Sequence, residues 1–351
     1  MREFMRRLFS VNHADREAKH IVGLILLVAA LYVAAGVGMA YVAGFGAVQH
    51  RLATAQWWWL GPSFAALVLG FCGYYLAYKG IAGAEGGPQI ESTSLLAVVT
   101  AGFGGFLAHG GTVLDKFAMR SGGADRREAE VRVSALAGFE HGVLAIIVCP
   151  AAIVAVVLGL HIPKPDFTWP WALIPPIGFG VAIWAAERYR ERLHGRSGWR
   201  KRLGIFLDAI HIVWVNLRNP REYGLSVLGM AVYWGGDMFA LWSATAAFGF
   251  QMSALSVIVA LGTGMIFTRR TGPLGGAGIM EVALVATVWY GVGAPFAAAT
   301  LGVAAYRFFT LLVPIPASLA ALPKLRALGR KGEESSGRGT ASDHGEPALQ
   351  L

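Results

Sequence analysis

Charge is scarce in this sequence. Asp, Glu, Lys and Arg supply 15% of its 351 residues, against about 25% in a soluble domain. Cysteine is scarcer still: Cys72 and Cys149 are the only two, and both lie inside apolar runs with no partner motif. Neither a disulfide framework nor a metal site follows from them. Missing too are a nucleotide-binding loop, a credible Ser/His/Asp order and any metal-ligand spacing. No cofactor, no metal and no enzymatic activity are therefore expected.

Apolar residues fill the chain instead, at 55%. They gather in runs such as Ile21 to Val48, Trp57 to Tyr78 and Val143 to Leu160, about the length needed to cross 30 Å of hydrocarbon as a helix. In lipid each span must satisfy its own backbone, which selects helices over open strands. A soluble fold would have to bury every one of these helices on all sides. The net charge of +9 does not point to nucleic acid, because the basic residues cluster between the runs. Arg2 to Lys19, Arg120 to Arg132, Glu187 to Arg202, Arg218 to Arg221 and Lys324 to Lys331 are the clusters, as expected of cytoplasmic loops. The first run follows a cationic stretch and lacks an Ala-x-Ala cleavage site, so it reads as a retained signal anchor. Frequent Arg, Ala and Gly fit a GC-rich bacterial genome.

Simple spans are expected over residues 20–48, 57–79, 133–160, 171–187, 222–248 and 295–322. Two segments, 94–120 and 253–291, are different. Loop charge places both ends of each on the same side, so each must cross an even number of times. Segment 94–120 is too short and too broken by glycine for two crossings, and reads as a re-entrant pair of half-helices. Segment 253–291 is either a second such pair or two short spans turning at Arg269 and Arg270. If re-entrant, the two segments approach from opposite faces, the pattern of an inverted repeat. The fold class is thus an all-α polytopic membrane protein with about six to eight transmembrane helices. Residues 1–19 form a basic cytoplasmic N-terminus, 20–322 the membrane domain and 323–351 a polar, largely disordered cytoplasmic tail. Within the membrane domain, 203–219 carries apolar positions (Leu203, Phe206, Leu207, Ile210, Val213, Trp214) of an amphipathic helix on the cytoplasmic face.

Charged residues at membrane depth mark function by default. The densest group is Arg269 and Arg270, a Gly-Pro break with Gly275, Gly276 and Gly278, then Glu281 about two turns into a new helix. Arg307 follows in the next span, near mid-depth. A helix N-terminus with two arginines beside it suits a lipid phosphate, and Glu281 can pair with Arg307. The ordinary alternative is a positive-inside turn beside a structural ion pair. In the first half His109 and Glu140 are the matching candidates, and Asp237 lies midway along 222–248. Asp115 and Lys116 read as interfacial, His194 and His211 as exposed, and Trp57 to Trp59, Trp169 and Trp171 as interfacial anchors.

The stretch from Gly272 to Leu322 resembles the end of the membrane domain of the lysylphosphatidylglycerol synthase family. The resemblance rests on Gly272-Pro273-Leu274-Gly275-Gly276-Ala277-Gly278-Ile279-Met280-Glu281, then Ala305-Tyr306-Arg307, then Pro314. Fainter similarity runs from His109-Gly110-Gly111 to Glu140, where His109 replaces the family's Pro and His141 its Arg. The resemblance implies a flippase fold with opposed re-entrant helices, in a stand-alone form without the soluble synthase domain. It leads to the expectation of a bacterial inner-membrane lipid translocase with both termini cytoplasmic. Its partner would be a phospholipid or lipid-linked substrate and not nucleic acid, with a homo-oligomer or a pathway enzyme as further partners. The alternatives are a membrane subunit of a glycolipid, polyprenyl-phosphate or hopanoid pathway, or a secondary transporter for a small anion.

Overall fold

The computed structural model describes residues 14–103, 110–193, 197–265, 277–325 and 327. No strand occurs among them. In chain order the helices are α1 (Ala14–Ala43), α2 (Phe45–Ala53), α3 (Leu60–Gly83), α4 (Ser92–Phe103), α5 (Gly110–Ser121) and α6 (Arg126–Val157). They continue as α7 (Pro165–Tyr189), α8 (Trp199–Arg218), α9 (Pro220–Ala247), α10 (Ala254–Gly264), α11 (Ile279–Gly291) and α12 (Phe296–Leu325). Helix α11 ends in a π turn, Thr287–Gly291, and α12 contains another, Phe308–Leu312. Six helices, α1, α3, α6, α7, α9 and α12, are long and apolar enough to cross a membrane. The protein is an all-α, multi-pass membrane protein, and the six coincide with the expected spans. The first expected span, 20–48, is interrupted, because Gly44 turns the chain at φ +82° and α2 starts afresh.

Helices α3 and α9 form the central seam. Gly70, Gly73, Ala77 and Gly80 of α3 face Gly236, Tyr233, Gly229 and Ser226 of α9 in that order, so the two helices run antiparallel. Small residues at such a crossing let backbones touch, which is how helices gain contact where lipid offers no hydrophobic drive. The gap is narrow: a Cβ on Gly229 would sit 2.5 Å from the Gly73 carbonyl oxygen, and one on Gly236 2.5 Å from that of Ala66. Each seam helix is followed by two short helices and a long one, α4–α5–α6 after α3 and α10–α11–α12 after α9. Because the seam is antiparallel, the second set is inverted relative to the first.

The connections collect at two ends. One end carries the charge. Arg127 meets Asp208 there at 2.7 Å, and Lys324 reaches Glu91 at 3.3 Å. At the other end the Gln56 N–H donates to the Ala247 carbonyl, and the Lys164 N–H to that of Gly291. Helix α4 starts at the charged end beside Glu91. The turn after α5 returns there, with Gly122 packed on Pro88 and Ile90. Helices α10 and α11 leave and regain the opposite end, Gly264 packing on Leu284 and Gly291 on Phe167. With 12 and 11 residues, α4 and α10 reach only about 16–18 Å, half a bilayer. Both pairs therefore return to the end they came from.

Helix α8 spans the helix expected over 203–219. It begins at Trp199 and packs against α6, α7 and α9, burying Leu207, Ile210 and Val213, whereas Leu203 and Phe206 are exposed. The tail over 323–351, apart from its first few residues, and most of the basic N-terminus lie outside the described residues. Cys72 is exposed and Cys149 buried, both as free thiols.

Two outcomes follow from these contacts. Gly236→Ala forces the seam apart and should cost about 1–3 kcal/mol, while its neighbour Gly235→Ala, which meets nothing within 4 Å, should be tolerated; unfolding in mixed detergent compares them. At the charged end, hydrogen bonds from Thr93, then Ser94, then Lys324 lower the Glu91 carboxyl from 4.5 to about 2. A carboxylate depressed on folding stabilises above its unfolded value and loses that contribution as pH falls through the folded one. Glu91→Gln should therefore flatten the stability profile between pH 4.5 and 2, and an unchanged acid limb would contradict the clasp.

Candidate functional site at a half-helix N-terminus

Helix α11 begins where Gly278 adopts φ +85°, a left-handed conformation open to glycine without steric cost. This start is later than expected: Glu281 is in the first turn, not two turns in. Its position there lets the carboxylate fold back on the helix end. Glu281 Oε2 accepts the Gly278 N–H at 2.6 Å, satisfying one of the amides that a helix start leaves unpaired. The other oxygen, Oε1, accepts Arg307 Nε at 2.7 Å. Arg307 Nη1 also points toward Thr310 Oγ1, at 3.5 Å, inside the π turn that begins at the next residue.

The pair is desolvated: Glu281 is 1% exposed and Arg307 5%. Arg307 stands eleven residues beyond Phe296, about 17 Å along α12, at the level where α10 and α11 reach their inner ends. Taking two charges out of water is costly, and it is offset only by short hydrogen bonds on both partners together with the positive end of the helix dipole. Helix α1 closes the site on one side. Tyr32 donates its hydroxyl to the Ala304 carbonyl at 2.7 Å, and Val28, Ala277 and Leu311 pack together beside it. Yet only 11% of the apolar window of α1 is buried, so this wall is one helix thick.

The other expected residues divide into two groups. Glu140 (0% exposed) and Asp237 (4%) are both buried, on α6 and α9. These helices are tied by the Trp234 indole N–H, which donates to the Glu140 carbonyl at 2.8 Å; Asp237 is one turn further along α9. Nearby, Phe103 at the inner end of α4 packs edge-on against Tyr74 and Tyr233. His109, Arg269, Arg270, Gly275 and Gly276 lie outside the described residues.

Several readings are corrected. Asp115 is buried rather than interfacial, because α5 turns that face onto α6, while Lys116 stays half-exposed near Glu130. His211 is not exposed but half-buried, 3.7 Å from Glu85. Trp171 is less an anchor than a brace, its indole donating to Thr263 at the inner end of α10. Tyr32 and Thr310 were missed as site residues. Thr310 could have been found, since it follows Arg307 at i+3 on the same helix face; a lone hydroxyl such as Tyr32 gives no such signal.

No family model and no curated protein matches the chain.

Arg307→Ala leaves a carboxylate buried without its guanidinium and should cost about 3–5 kcal/mol, most of it regained in the double variant Glu281→Leu/Arg307→Met. Equal stability of the single and double variants would show that Glu281 does not depend on Arg307.

Proposed function

We propose that this protein is a bacterial inner-membrane lipid translocase that passes a phosphate-bearing headgroup through the mid-bundle site at Glu281 and Arg307. The observation that carries this reading is the buried pair at the start of a half-helix. Arg307 and the Gly278 amide are the donors a phosphate needs, and Glu281 now occupies both. A headgroup phosphate would take those donors in exchange for the carboxylate, which would have to pick up a proton or turn to a cationic headgroup so as not to stand bare in its turn. Arg307 then never stands bare in a low-dielectric interior, which is the costly state for a buried charge.

Three features support transport over binding alone. The half-helix pairs approach from opposite ends, as in transporters built on inverted repeats. Helix α1 is a thin, lightly packed wall, which suits lateral access by a lipid better than by a soluble anion. The resemblance to the membrane domain of the lysylphosphatidylglycerol synthase family falls on Gly278, Glu281 and Arg307 themselves. The charged end would face the cytoplasm, where Lys and Arg are retained, placing both termini there. No step in this cycle makes or breaks a covalent bond, so the protein would act as a carrier and not as an enzyme.

Translocation of a headgroup-labelled phospholipid in proteoliposomes tests the proposal. Wild-type protein should equilibrate the label between leaflets, and Arg307→Ala and Glu281→Ala should each slow it at least tenfold. Full activity in both variants would remove the site from the pathway, and uptake of inorganic phosphate without lipid movement would make the protein an anion transporter.

A further inference from the structure

A second cluster of charges lies at the charged end, far along the bundle from the Glu281–Arg307 pair. Between the end of α3, the start of α6, the end of α7 and the middle of α8 there is a cleft of about 250 Å³. Most of its charges are matched internally. Arg127 Nη2 bonds Asp208 at 2.7 Å, and Arg132 Nε bonds Glu128 at 3.0 Å while its Nη1 donates to the Ile81 carbonyl. Asp125 caps α6 by accepting the Glu128 N–H at 2.7 Å. Each of these groups has a short bond to hold.

Two groups lining the cleft do not. Glu85 has His211 Nε2 at 3.7 Å, too far for a hydrogen bond, and the Nδ1 of that ring is buried with no hydrogen-bond partner among the described residues. Among the described residues Arg190 has only Glu191, its chain neighbour, at 3.9 Å. The cleft thus offers one carboxylate and one guanidinium that hold only long ion pairs and no side-chain hydrogen bond among the described residues. Glu85 is also the only non-glycine residue with positive φ among the described residues, at +51°, a conformation that is uncommon for a glutamate and persists where the surroundings enforce it. Its amide donates to the Tyr223 hydroxyl at 3.2 Å, which holds that turn in place.

We infer that this cleft binds an amine–phosphate zwitterion, with the ammonium on Glu85 and the phosphate on Arg190. A simple anion would meet Glu85, and a simple cation Arg190, so each would set one weakly paired charge facing its own sign. A zwitterion satisfies both, and a guanidinium suits phosphate geometry. The shared chemistry is phosphoethanolamine, whether as a lipid headgroup or as a soluble molecule. The site stands independently of the transport proposal.

Full-length protein in phosphatidylglycerol nanodiscs, titrated calorimetrically with soluble phosphoethanolamine, tests the inference. Wild type should bind it at least tenfold more tightly than inorganic phosphate or ethanolamine. Glu85→Gln and Arg190→Gln should each weaken it at least tenfold. Glu85→Asn, a residue at ease in the left-handed turn, should show the same loss, which separates lost charge from a disturbed backbone. Phosphate binding as well as phosphoethanolamine, or undiminished binding by both Glu85 variants, would overturn the site. In a second arm, native mass spectrometry from mixed-lipid nanodiscs should show phosphatidylethanolamine retained over phosphatidylglycerol if the ligand is a lipid. Binding of the soluble compound without such retention assigns a soluble ligand to the same cleft. A protein that binds phosphoethanolamine but moves no lipid would sink the transport proposal and leave this site standing.

Discussion

Between Gly73 and Gly229 there is no room for a methyl group, and the same holds where Gly236 meets Ala66. In a membrane, where burying apolar surface against another helix gains little over lipid, such backbone-close packing is the main source of cohesion. The crossing is antiparallel, with Gly70 at the level of Gly236 and Gly80 at that of Ser226. With that direction set, each seam helix launches its short pair from a different end. The opposed half-helices, and the charged pair at their inner level, depend on this one crossing.

The second constraint is electrostatic. A helix that starts in the middle of a membrane exposes amides that lipid cannot satisfy. Glu281 answers this by folding back onto the first amide, but its charge then needs a partner, and Arg307 supplies it from the neighbouring span. The two charges are thus a consequence of starting a helix there. Structure and chemistry are not separable at this point: the groups that let α11 begin are those a phosphate would compete for.

Much of this was legible in the sequence, and the physical reason is contrast. A single Glu or Arg in an apolar run stands out, so Glu281, Arg307, Glu140 and Asp237 could be named, and loop charge alone showed that 94–120 and 253–291 could not be ordinary spans. Where contrast was low, reading failed. Arg132 sits among seven charged residues between Arg120 and Arg132, and nothing local distinguishes the one that turns inward to the Ile81 carbonyl. Period alone could not tell which apolar positions of α8 would pack on neighbouring helices, as Leu207 does, and which, like Phe206, would stay exposed. The start of α11 was placed too early because Gly275, Gly276 and Gly278 can each end or begin a helix, and only the dihedral angle of Gly278 decides among them.

The π turn at Phe308–Leu312 has a mechanical consequence. Arg307 and Ser318 are eleven residues apart, just over three full α-helical turns, so in an unbroken α-helix they would project nearly the same way. A π turn holds an extra residue, which rotates everything after it by about 100°. Arg307 therefore faces α11, while Ser318 faces α4 and donates to the Thr100 carbonyl at 2.7 Å. Helix α12 is one rod with two bearings set out of phase, each engaging a half-helix from an opposite end. One helix therefore carries a contact to each half-helix pair, Arg307 to Glu281 and Ser318 to Thr100, on faces that the π turn sets apart.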